Sequence, residues 1–171
     1  FSILDPQTTY SLPKSQISNG IVDTYVHVME QYLTYPVNNQ ISDRFAESIL
    51  TTLVEEAPKV FKDPNNYDVR ANLMWAATLG LNGLIACGVP EDWATHVIGH
   101  ELTAFHGLDH GVTLAIVLPG IMNIMRDEKA DKILQYAERV FGITQGTKEE
   151  RIDKAILATQ SFFASLDIPT R

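Results

Sequence analysis

The residues able to do chemistry fall in two places. Asp23 and His27 lie in one segment, and His96, His100, His106 and His110 lie within fifteen positions of another. In a helix, residues four apart sit one turn above each other on the same side, so Asp23 and His27 present a carboxylate and an imidazole together. Their flanks, Val22, Val26 and Met29, are apolar, and an unpaired carboxylate among such groups is costly or takes up a proton. His96 and His100 repeat the four-residue spacing, and a turn at Gly107 brings His110 back toward them. A carboxylate and several imidazoles can therefore converge. One carboxylate with three imidazoles suits a borderline divalent ion, Fe²⁺ or Zn²⁺, better than Ca²⁺ or Mg²⁺, which prefer oxygen shells. The same spacing also fits a structural Asp23–His27 ion pair with the other histidines as surface or cap residues.

Single residues carry paired readings too. His100 is either a proton carrier one turn from a ligand or an imidazole bonded to a buried carbonyl. His106 lies near a helix end and reads as a C-terminal cap. Asp109 either orients His110 or is a loop-surface carboxylate. Cys87 is expected as a small buried apolar group ahead of a pocket contact, and Trp75 and Trp93 as core residues ahead of substrate wall.

The elements that position these side chains read as helices. Ile17, Ile21, Tyr25, Val28 and Tyr32 recur at three- and four-residue steps, predicting a helix over Ser15–Leu33 that buries one face and stops at Tyr35-Pro36. A second pattern runs from Ile41 to Val60, with Pro58 breaking or restarting its last turn. The third, Tyr67 to Ala86, is expected to stop at Gly88, and the fourth, Glu91 to Phe105, near Gly107. The apolar run Val112 to Met125, interrupted by Pro119, belongs at the centre of the domain. Lys132 to Phe141 then stops at Gly142, and a last helix starts at Thr147, whose Glu150 completes a capping box. Phe1 to Leu4, stopped by Asp5-Pro6, reads as one short strand.

A chain of 171 residues with 45% apolar content can build one domain with a sizeable core. Its net charge of −8, with no basic run, argues against nucleic acid as a partner. The lone Cys87 cannot form an internal disulfide and no signal-peptide order is present, so a cytoplasmic setting is expected. Val112 to Met122 is the longest apolar run, well short of the ~20 residues needed to cross a bilayer, so no membrane partner is expected.

At this point the motifs resemble the iron-containing alcohol dehydrogenases along essentially the whole chain. Leu4-Asp5-Pro6, Leu12-Pro13 and Asn19-Gly20-Ile21-Val22-Asp23, followed by His27 and Glu30, look like the family's first signature. Trp93-Ala94-Thr95-His96-Val97-Ile98-Gly99-His100-Glu101, then His106 to Gly111 and Leu114 to Pro119, look like its second. Asp-Trp-Ala-Thr-His and Asn-Tyr-Asp-Val-Arg-Ala-Asn resemble the bacterial NADPH-dependent aldehyde reductases and butanol dehydrogenases within it. Thr113 and Ala115 depart from the broader family, where Asn is common, and agree with that branch.

The resemblance implies an all-α fold, the helical metal-binding domain of dehydroquinate synthase-like architecture, with the short strand at its N-terminus. It makes Asp23, His27, His96 and His110 the metal ligands and His100 the catalytic histidine beside the substrate. Residues 1–6 then read as the end of a nucleotide-binding α/β domain, and 7–171 as the helical domain, continuing past Arg171. No Gly-rich loop follows a strand, so NAD(P)H is expected to bind mainly to that other domain. The implied activity is interconversion of alcohols and aldehydes by hydride transfer, with little turnover from these residues alone. The helical face left uncovered predicts a homo-oligomer or retention of the nucleotide-binding domain. Two alternatives stand beside it: a metal-dependent lyase of the same architecture, and a non-catalytic helical metal-binding module.

Overall fold

The computed structural model describes residues 1–171. Seven α-helices follow a short 3₁₀ turn at Pro6–Thr9: α1 Lys14–Tyr32, α2 Gln40–Lys62, α3 Tyr67–Leu81, α4 Ala94–His106, α5 His110–Ile124, α6 Ala130–Phe141 and α7 Lys148–Ser165. The all-α architecture expected from the sequence is borne out.

The centre of the domain is α1. Val22, Tyr25, Val26, Val28 and Met29 are wholly buried, and Ser18, Glu30 and Gln31 are buried on its other sides. The helix is enclosed on most of its circumference, more than the single face its periodicity predicts. It packs chiefly against α2, α3 and α5, while α6 and α7 pair with each other and dock on α2 and α5. The expected central segment, α5, is buried along Gly111, Thr113, Leu114, Ala115, Leu118, Pro119 and Met122, with Ile124 at its end exposed.

Local chemistry sets the helix ends. Asn39 and Asn66 accept from backbone N–H groups to open α2 and α3, and Thr147 and Glu150 form the capping box of α7. Gly107 and Gly142 stop α4 and α6 in the left-handed conformation. Pro58 stays inside α2, four residues before its end.

Several expectations are corrected. Phe1 to Leu4 form no strand, because an all-helical chain offers no edge to hydrogen-bond with. The third helix stops at Leu81, ahead of Ala86, since Gly83 already takes φ +87° and Asn82 accepts the Leu84 N–H. The fourth begins at Ala94, three residues later than Glu91, after Asp92 accepts the Ala94 N–H. Cys87 is exposed, with its thiol near the Gly83 carbonyl. Trp75 is exposed on α3 rather than in the core.

Candidate metal centre

A polar stripe interrupts the buried surface of α1. Asp23, His27 and Glu30, at i, i+4 and i+7, share one side of the helix. That side meets α4 and α5, which bring in His96 from the first turn of α4 and His110 as the first residue of α5. Gly107, at φ 66°, reverses the chain between them. A Cβ on Gly111 would stand 2.8 Å from Asn19 Cα, so glycine lets the first turn of α5 touch the α1 backbone and holds His110 over Asp23.

Asp23 Oδ1 is the hub of the cluster. His96 Nε2 lies 3.7 Å from it and His110 Nε2 3.5 Å. Ligand atoms of Asp23, His27 and His96 all fall within 4.8 Å of one another. Two donors bound tetrahedrally at about 2.1 Å from one ion stand about 3.4 Å apart, so these separations suit a shared ion. His27 donates Nδ1–H to the Asp23 carbonyl oxygen at 2.8 Å, which leaves its Nε2 free. Asp23 Oδ1 and His96 Nε2 are both buried and without a hydrogen-bond partner. Buried polar atoms are rarely left so, at about 1–3 kcal/mol each, and a cation between them satisfies both.

The charges are coupled. Burial pushes the Asp23 carboxyl up, but its contact with His96 and the nearby His27 and His110 rings more than reverse this and leave it below its ordinary value. Burial also works against the His96 imidazolium, yet Asp23 and Glu30 on its two sides raise its pKa to about 9. His110 is pushed down, first by burial and then by the neighbouring histidines, against the pull of Asp23.

The other candidates lie around this core. His100 is exposed one turn along α4, its ring stacked on His110 with centroids 4.6 Å apart and planes 11° from parallel. His106 is exposed at the last position of α4. Asp109 accepts from Asn19 Nδ2 at 2.9 Å while His110 Nδ1 has no partner, so Asp109 does not orient that ring. Trp93 is half-buried at the rim, edge-on to His27 and His96.

The roles of two residues escaped the sequence reasoning. Glu30, buried at 4% exposure, accepts the Thr95 N–H and the His96 Nδ1–H. Its signal was available: an acid seven residues after Asp23, flanked by Met29 and Gln31, continues the polar stripe. The Trp93 contact had none beyond its place three residues before His96.

The model of the Fe-containing alcohol dehydrogenase family, C-terminal, matches residues 17–171. The chain belongs to the iron-containing alcohol dehydrogenase family. Among curated relatives, the NADPH-dependent aldehyde reductase YqhD of Escherichia coli (strain K12) is 63% identical over 170 residues, covering 99% of this chain and 44% of that protein. The solved substrate- and cofactor-free form of that reductase superposes with a TM-score of 0.96 at 62% identity, over 97% of this chain and 44% of its own. A second solved structure, that of the NADH-dependent butanol dehydrogenase A of Thermotoga maritima, gives 0.91 at 34% identity, over 96% and 41%. The chain thus spans less than half the length of these relatives. Together they bear out the resemblance drawn from the two signatures and the helical fold it implied. No helix is long and apolar enough to cross a membrane.

Proposed function

We propose that this chain is the metal-binding part of an oxidoreductase that interconverts alcohols and aldehydes with NAD(P)H, as the names of its relatives suggest. The observation that carries the reading is the pair of buried, unpartnered atoms, Asp23 Oδ1 and His96 Nε2, facing each other with His110 Nε2 beside them. Asp23, His27, His96 and His110 hold one divalent ion. Its donors of one oxygen and three nitrogens suit Fe²⁺ or Zn²⁺, and the family description favours iron.

A bound ion supplies a Lewis acid for the carbonyl oxygen, while the nicotinamide supplies hydride. The chain's own residues do the rest. His100, exposed and stacked on His110, passes a proton between the product oxygen and solvent. The indole of Trp93 covers the edges of His27 and His96 and keeps water from that side. Asn19 holds Asp109 beside the opening. Nucleotide binding falls to a domain outside these residues, with 1–6 leading from it and 7–171 forming the metal domain. Exposed Val97, Leu81 and Phe105 support burial against further protein, either that domain or a second copy in the cytoplasm.

The test is turnover of a short aldehyde with NADPH or NADH by the complete gene product, comparing wild type with His100→Ala. Loss of a positioned proton carrier lowers turnover by roughly 10²–10⁴-fold, and metal content should stay at the wild-type level. Absence of aldehyde-dependent cofactor oxidation in the metal-loaded wild type would overturn the activity. Metal loss in His100→Ala would overturn the role given to that histidine.

A further inference from the structure

Glu30 uses both carboxylate oxygens on one short stretch of α4. Oε1 accepts the Thr95 N–H, while Oε2 accepts the His96 N–H at 3.3 Å and the His96 Nδ1–H. Its own carbonyl oxygen accepts the Asp92 N–H at 3.1 Å. Trp93, at the N-cap of α4, provides no side-chain cap, so beyond the Ala94 N–H taken by Asp92 the first turn of that helix is capped from α1. A buried anion is favourable at a helix N-terminus, and a cap alone would need only the two backbone bonds. The third bond, to the ring, has a different consequence. With Nδ1–H donated to Glu30, Nε2 is the nitrogen whose proton a cation displaces, and that atom is the unpartnered one facing Asp23 Oδ1.

We propose that Glu30 is a positioning residue for the metal centre, fixing the tautomer and ring orientation of His96 so that Nε2 is the ligating atom; this rests on the metal-binding reading above. A carboxylate behind a ligating imidazole also raises its basicity, and removing such a partner typically weakens metal binding by about 10–100-fold. Glu30 thus couples two tasks: the carboxylate that starts α4 also aims the only side chain α4 contributes to the four-residue set.

Glu30→Gln separates these tasks. It keeps the size of the side chain and an oxygen for the Thr95 N–H, and it removes the charge and the second acceptor. In the complete gene product, Co²⁺ titration followed by visible absorption, with Zn²⁺ competition, should give a dissociation constant about 10–100-fold weaker than wild type at unchanged helical circular dichroism. Wild-type binding matched within twofold by the variant would overturn the role of Glu30 and leave the metal centre standing. If the wild type itself binds neither ion, the metal-binding reading fails and takes this inference with it. Should the variant not fold, ¹⁵N-histidine NMR of the Zn²⁺-loaded wild type decides: a retained Nδ1–H on His96 with Nε2 bound supports the inference, and an Nδ1-bound ion overturns it.

Discussion

Two clusters of buried polar side chains lie against α1, and they differ in one respect. Around Glu47 the groups close on themselves. Its Oε1 accepts from Tyr32, Gln135 and Arg139 at 2.9, 2.6 and 2.8 Å, and Arg44 approaches Oε2 at 3.3 Å. Lys132 pairs with Asp43 at 2.7 Å and lies over the Tyr32 ring. The cluster ties α1, α2 and α6 together. Around Asp23 the groups converge equally well, yet Asp23 Oδ1 and His96 Nε2, which face each other, are left without partners. A polar cluster that serves only the fold satisfies its members, whereas one that serves a ligand leaves atoms facing an open position. That difference favours the proposed metal centre over a structural ion pair of the Asp23–His27 type.

The comparison breaks most visibly by removing the hub of each cluster. Glu47→Ala leaves Arg139 without its counter-charge and Tyr32 and Gln135 without their shared acceptor and should cost about 3–5 kcal/mol, read by urea unfolding, with metal content per folded chain unchanged. Asp23→Asn should do the opposite: metal affinity falls by more than about a hundredfold, since four ligands together supply roughly 10–16 kcal/mol. Unfolding of its metal-free form should be weakened far less than in Glu47→Ala, because Asp23 gives up only its approach to the His27, His96 and His110 rings, which hold its carboxyl below the ordinary value. Equal stability losses in the two variants would erase the distinction.

Smaller changes sharpen it. Gly111→Ala forces a methyl against the α1 backbone at Asn19, so it should cost about 1–3 kcal/mol and also weaken metal binding by displacing His110. Asp92, bonded to Lys129 ahead of α4, gives the smallest effect. Burial raises its pKa, but Lys129 and the Ala94 N–H lower it more, leaving it below the ordinary 3.8. The stability it contributes is therefore present above pH 3.8 and lost as pH falls through the lower folded value. Asp92→Asn should cost under about 1 kcal/mol at pH 7, and its unfolding curve should merge with that of wild type in acid.

Much of this was legible from the residues because the informative spacings are local. Asp23 and His27 at four apart, the stops at Gly107 and Gly142, and the Thr147–Glu150 box are each set within one helical turn. The convergence of His96 and His110 on Asp23 was legible as a possibility from spacing and as an expectation from the family signatures. What escaped depends on long-range partners. Glu30 acts on backbone groups of another helix, 65 residues away in sequence, and a backbone N–H leaves no trace in the sequence. Tyr25 buries its hydroxyl against that of Tyr136 on α6, which in turn meets Thr159 on α7. Cys87 and Trp75 were assigned inward by residue type alone, and the early stop of α3 moved the Cys87 loop to the surface.

The most direct test of the central claim is the metal content of the purified complete gene product, by mass spectrometry, for wild type and His96→Ala. One iron or zinc per wild-type chain, lost in the variant while the helical signal persists, is the predicted result. A wild type that stays metal-free after exposure to Fe²⁺ and Zn²⁺, or a His96→Ala protein that keeps its ion, would contradict the assignment of this cluster as a metal centre.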